Sequence, residues 1–180
     1  MQWGLIYECT KVKPYFERLD RKQKILVIAS YLYRQFRLVK AFDDYYSESL
    51  SELFLKAISA ALGDSKKVQN VQAEVEARIP DTDEFSEQEG SYAQNLMIAL
   101  NYLLLFVIKD DSSNLHRCVD MFLQNVDLLN YDVSENYDEK LITSNEIDVA
   151  YSLIDKVLNF SQERLPSMRD VESLANSHNL

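Results

Sequence analysis

Glycine and proline are nearly missing from this 180-residue chain: Gly4, Gly63 and Gly90 are the only glycines, and Pro14, Pro80 and Pro166 the only prolines. Average chains carry about 7% and 5% of these residues, so the positive-φ turns of hairpins and phosphate loops have little to be built from. There is no GxGxxG turn and no Walker loop, which excludes the usual nucleotide cradles. Cysteine is equally scarce. Cys9 and Cys118 match no CxxC spacing and read as small buried hydrophobes, so neither a disulfide framework nor a reactive thiol is expected. Two histidines, His116 and His178, give no zinc cluster, and the residues three before them, Ser113 and Ala175, deny the Glu-x-x-His pairs of a di-iron bundle. No metal or cofactor is expected.

A basic n-region and a long apolar h-region are missing from MQWGLIYECT, so a secretory signal is not read there. The most apolar run, Leu96 to Ile108, is interrupted by Asn101 and falls short of the roughly 20 residues a membrane span needs. These absences point to a cytoplasmic protein with no membrane partner.

What remains is helix-forming sequence, 47% apolar. The expected fold is all-α: a compact single-domain bundle of about six to eight helices over residues 1–165, with a buried central helix near 91–109 and a polar tail over 166–180 that can form a short helix. Val12, Tyr15, Phe16 and Leu19 share a face in an opening helix. Asp20 is the N-cap of a dense apolar helix from Arg21 to about Lys40. Ser49 and Glu52 have the spacing of a capping box, and Gly63 stands where a left-handed residue would end that third helix. Asp64 or Ser65 caps a fourth helix with a narrow stripe of Val68, Val71, Val75 and Ile79. Ser112 or Ser113 caps the helix after the central one, and Thr143 with Glu146 forms a second capping-box spacing before the last main helix. The non-helical connections are expected at Asp81 to Gly90 and at Tyr131 to Leu141.

Carboxylates are the one abundant chemical resource. Asp81, Asp83, Glu84, Glu87 and Glu89 crowd into the first connection, yet an EF-hand counted from Asp81 would put Ser86 and Tyr92 where it needs Gly and Glu. Solvated acids that favour the N-terminus of the next helix are the plainer reading. Residues 11 to 40 hold nine cations against Glu17 and Asp20, a balance of +7 that leaves −17 on the rest of a chain whose total is −10. Nucleic-acid binding by that basic segment is opposed by the acidic remainder. The second connection interleaves Asp132, Glu135 and Asp138 with Tyr131 and Tyr137, a pattern able to hold a basic protein.

The run Phe16-Glu17-Arg18-Leu19-Asp20 with Gln23 and the helix through Ala29 to Arg34 and Phe42 resembles the opening of the YjaG-like family of uncharacterised bacterial proteins. Val75-Glu76-Ala77-Arg78-Ile79-Pro80, followed by Asp83, Glu84, Phe85 and a long apolar helix, is similar to that family's central segment. The resemblance covers about residues 15 to 110. It implies a helical domain of the bacterial cytosol, with no activity and no site residue to carry over.

Two functions are weighed on this basis. The favoured one is a protein-binding or regulatory module, of which an inhibitor or immunity-type partner for a basic protein is the most concrete form; a second copy of the chain is included among the partners. The alternative is an enzyme using carboxylates from Asp81 to Glu87, with Arg18 and Arg34 orienting an anionic substrate. Nucleic-acid binding ranks below both.

Overall fold

In the computed structural model, which describes residues 1–63, 67–133, 137–159 and 165–178, the chain is 79% helical and has no strand among those residues. Among the described residues ten α-helices follow one another: α1 (Trp3–Tyr7), α2 (Lys13–Phe16), α3 (Arg21–Tyr33), α4 (Phe36–Tyr46), α5 (Leu50–Leu62), α6 (Val68–Ala77), α7 (Gln88–Lys109), α8 (Ser112–Val133), α9 (Glu139–Leu158) and α10 (Met168–Ala175). A 3-10 turn, Asn176–His178, follows α10.

The expected central helix is α7. It packs against α8, α6, α4, α5 and α3, and Leu96, Leu100, Leu103 and Leu104 are completely buried. By length and composition α7 is also the one helix among the described residues able to cross a membrane; with 61% of its most apolar window buried inside the bundle, it serves here as core. One hydrophobic cluster runs from Trp3 to Val171. The segment expected as a polar tail therefore joins the core: α10 lies on α3 and buries Val171 and Ala175.

The helix expected from Arg21 to Lys40 is broken at Arg34 and Gln35, and neither glycine nor proline does it. Asp20 begins α3 as expected, its side chain accepting from the Gln23 amide at 2.8 Å while Gln23 reciprocates. At the far end Arg34 and Gln35 are both buried, with side chains turned to hydrogen bonds inside the bundle. Gln35 donates to the Phe122 carbonyl at 3.1 Å and accepts from Asn125, which also donates to the Tyr92 carbonyl. Buried polar groups cost free energy unless bonded, and continuing the helix would move these two residues away from their partners on α8, α9 and the C-terminal 3-10 turn.

Other caps differ from the expectation. Ser49 makes no side-chain cap; Asp43, from the end of α4, accepts from the Leu50 and Ser51 amides at 2.6 and 2.8 Å instead. Gly63 is extended, with φ −92° and ψ −161°, and among the described residues the left-handed ones are Ser47 and Asp110, each ending a helix. Asp111, rather than a serine, accepts from the Ser113 amide at the start of α8, and that bond holds its carboxyl below the usual range. Asp64 and Ser65 lie outside the described residues. Thr143 and Glu146 fall within α9, whose cap, Asp138, stands five residues before Thr143, so the expected connection from Tyr131 to Leu141 shortens to the few residues between α8 and α9. Asp43→Ala should lower stability by about 1 kcal/mol while Ser49→Ala leaves it unchanged; urea midpoints of the two variants distinguish the cap that forms from the one the spacing implied.

Candidate interaction surface

The candidate groups separate into an interior set and a surface set. Arg34 belongs to the interior. Its Nη1 and Nη2 donate to the two carboxylate oxygens of Glu146 at 2.7 and 3.1 Å, and its Nε donates to the His178 carbonyl at 2.7 Å. Both side chains are at most 4% exposed. Tyr31 donates its hydroxyl to the same Glu146 carboxylate, and burial followed by that negative charge raises its pKa well above the phenol range. The cluster joins α3 to α9 and ties the C-terminal turn to both. His178 Nε2 lies 2.9 Å from Ser152 Oγ, and desolvation, with Lys156 and Arg34 nearby, lowers its pKa.

That arrangement removes Arg34 from any substrate. Arg18 is exposed at the other end of α3, and neither arginine lines the depression that contains Asp81 and Glu84. The grouping of Arg18, Arg34 and the 81–87 carboxylates expected of an enzyme is therefore not assembled. Among the described residues, no three His, Cys, Asp or Glu side chains gather as a metal site. Of the nine cations in residues 11–40, four pair with acids among the described residues: Lys11 with Asp148, Lys13 with Glu17, Arg21 with Asp110 and Arg34 with Glu146.

The two acidic connections fare differently. In the second, Tyr131 is 68% exposed and its ring meets Tyr137 edge-on at 5.7 Å. Tyr137 donates to the Asp127 carboxylate, a bond that pushes its pKa up to about 12. Asp127 also faces the N-terminal ammonium at 3.5 Å. The side chains of Asp132 and Glu135 lie outside the described residues.

In the first connection, Asp81 accepts from the Asp83 amide at 2.9 Å, and its carbonyl accepts from Glu84 and Phe85, winding 81–85 into a compact turn. Phe85 from this turn meets Phe42 and Tyr46 of α4 at ring separations of 5.0 and 4.9 Å. The Tyr46 hydroxyl accepts from the Glu87 amide at 3.1 Å. Beside it, Tyr45 is 59% exposed, and the negative charge of Glu87 raises its pKa.

Two acidic segments about forty residues apart thus meet at the N-terminal end of α7. Asp43, Asp44 and Glu48 come from one, Asp81, Asp83, Glu84, Glu87 and Glu89 from the other, with Arg78 the cation among them. The local balance of −7 accounts for most of the chain's −10. Sequence reasoning found the second segment and missed the first; the signal for it was Asp-Asp-Tyr-Tyr-Ser-Glu at 43–48, a polar, aromatic close to an otherwise apolar helix.

Between the segments lies a depression of about 200 Å³. Phe42, Leu50, Ile79, Pro80 and Phe85 form its apolar part, and Glu48, Asp81, Glu84 and Arg78 its rim. Arg78 sits 3.8 Å from the Glu48 carboxylate and is partly exposed, so it offsets the rim's charge without neutralising it.

The cysteines lie away from this surface. Cys118 is completely buried, and desolvation pushes its thiol far above the ordinary range. Cys9, expected to be buried too, is partly exposed and donates to the Ile6 carbonyl. A thiol reagent should label the native protein at Cys9 alone and both cysteines after unfolding, as counted by mass spectrometry.

No family model matches this chain, and neither a curated protein nor a solved structure is similar to it.

Proposed function

We propose that this protein is a cytoplasmic protein-binding module whose acidic, tyrosine-bearing end takes a basic partner, in the manner of an inhibitor or immunity-type protein. The observation that supports it is the meeting of residues 43–48 with 81–89 at one end of α7. A face of one charge sign steers a basic partner into encounter, and tyrosine beside carboxylates supplies contact area at little conformational cost. Helix α7 spans about 33 Å at 1.5 Å per residue, which separates this end from the exposed Lys22, a residue lining a depression with Val107 near the other end of α7. A partner approaching the molecule therefore meets an oriented field rather than a uniform one. Membership of the YjaG-like family, implied by residues 15 to 110, is part of the proposal and brings no activity with it.

Affinity capture from the source cells should recover a basic protein with the wild type and lose it with Asp81→Lys/Glu84→Lys. Its association rate should fall about tenfold or more between low and moderate salt. Equal capture by wild type and variant would end this reading.

A further inference from the structure

The depression between α4, the start of α5 and the 78–85 turn allows the partner's chemistry to be stated more narrowly, and this inference rests on the reading of the acidic end as the binding face. We propose that it receives a single bulky aliphatic side chain from a polypeptide segment whose neighbouring residues are lysine or arginine.

Size is the first reason. Sites for drug-sized molecules or cofactors enclose roughly 300–1,000 Å³, whereas about 200 Å³ open to solvent suits one side chain. Chemistry is the second. Ile79 and Phe85 are partly exposed at the depression, where the buried Phe42 and Leu50 also line it, so an aliphatic group seated there covers apolar surface that water otherwise reaches. Charge is the third. Glu48, Asp81 and Glu84 rim that apolar surface, so a segment inserting leucine between cations meets carboxylates on either side, and one inserting leucine between acids is repelled. A second copy of this chain fits less well: among the described residues its exposed leucines are Leu5, Leu128, Leu141 and Leu165, none of which stands between two cations in the sequence, and the whole molecule carries −10.

The test uses the full chain and two synthetic peptides, Lys-Arg-Lys-Leu-Lys-Arg-Lys and the same sequence with glycine at its centre, titrated by calorimetry at one salt concentration. The leucine peptide should bind about tenfold or more tightly than the glycine peptide, the ratio for burying one leucine side chain. Ala77→Phe, an exposed position lining the depression, fills it without changing charge and should bring the two affinities together. Glu48→Gln/Glu84→Gln should weaken both peptides, and Glu17→Gln/Asp148→Gln, away from this end, neither. Equal affinity of the two peptides for the wild type, with the Glu48 and Glu84 dependence kept, overturns the aliphatic pocket and leaves the acidic face standing. Loss of that dependence as well overturns both. A wild-type dimer that Ala77→Phe converts to a monomer makes a second copy the occupant and overturns the assignment to a basic segment.

Discussion

Glu146→Leu should destabilise the protein by about 3–5 kcal/mol, because it leaves the Arg34 guanidinium buried without its counter-ion. Arg34→Met should cost about as much for the converse reason. The loss is a large share of the roughly 5–15 kcal/mol that holds a domain of this kind folded. It also reaches beyond the pair, since Tyr31 loses its acceptor in the first variant and the His178 carbonyl loses its donor in the second. The double variant Arg34→Met/Glu146→Leu removes both charges and fills the space with apolar groups. It should recover most of the loss, as replaced buried ion pairs do, apart from about 1–3 kcal/mol for polar groups left unbonded. Urea unfolding of the four proteins gives the coupling directly, and single-variant losses below about 1 kcal/mol would mean the pair is in contact with water.

Gly90→Ala carries the second large effect, and it acts on the binding face. A Cβ at this position would lie 2.0 Å from the Phe85 carbonyl oxygen and 2.8 Å from the Phe85 Cβ. The obstacle is backbone, so the 81–87 turn has to move away from α7. Overpacking of this kind costs about 1–3 kcal/mol, against which alanine's better helix propensity returns at most about 1 kcal/mol. The displaced turn should also lose the bond from the Glu87 amide to Tyr46 and the Phe85 contacts, so hydrogen exchange should quicken at 84–87 while the middle of α7 stays protected. Gly4→Ala is the matched control. Its new Cβ would find only the flexible Glu8 carboxylate, at 3.9 Å, and stability should be unchanged or slightly raised.

The helical class and the central helix were legible because they rest on local signals: few breakers, apolar residues at helical spacing and a self-contained cap such as Asp20 with Gln23. What failed was long-range. The caps of α5 and α8 come from outside the serines whose spacing fitted, because a nearby aspartate competes for the same amides. The break at Arg34 and Gln35 has no local breaker and is held by partners on α8, α9 and the C-terminal turn. A polar pair within a helix apolar on several sides was the available hint. Glu146 shows the difficulty most plainly, since Thr143-x-x-Glu146 has the spacing of a cap while the carboxylate in fact faces an arginine 112 residues away. For the surface, the 81–89 acids were visible as a run. Their union with Tyr45, Tyr46 and Glu48 depends on Phe85 packing against Phe42, a contact that no spacing announces.

The acidic end of α7 as the binding face is tested most directly by amide chemical shifts of the isotope-labelled protein during titration with the leucine-centred basic peptide. The account predicts shifts concentrated at residues 42–50 and 77–89, saturating together and abolished by Glu48→Gln/Glu84→Gln. Shifts spread evenly over the acidic residues of the whole chain, or concentrated around Tyr131 and Tyr137, would contradict it.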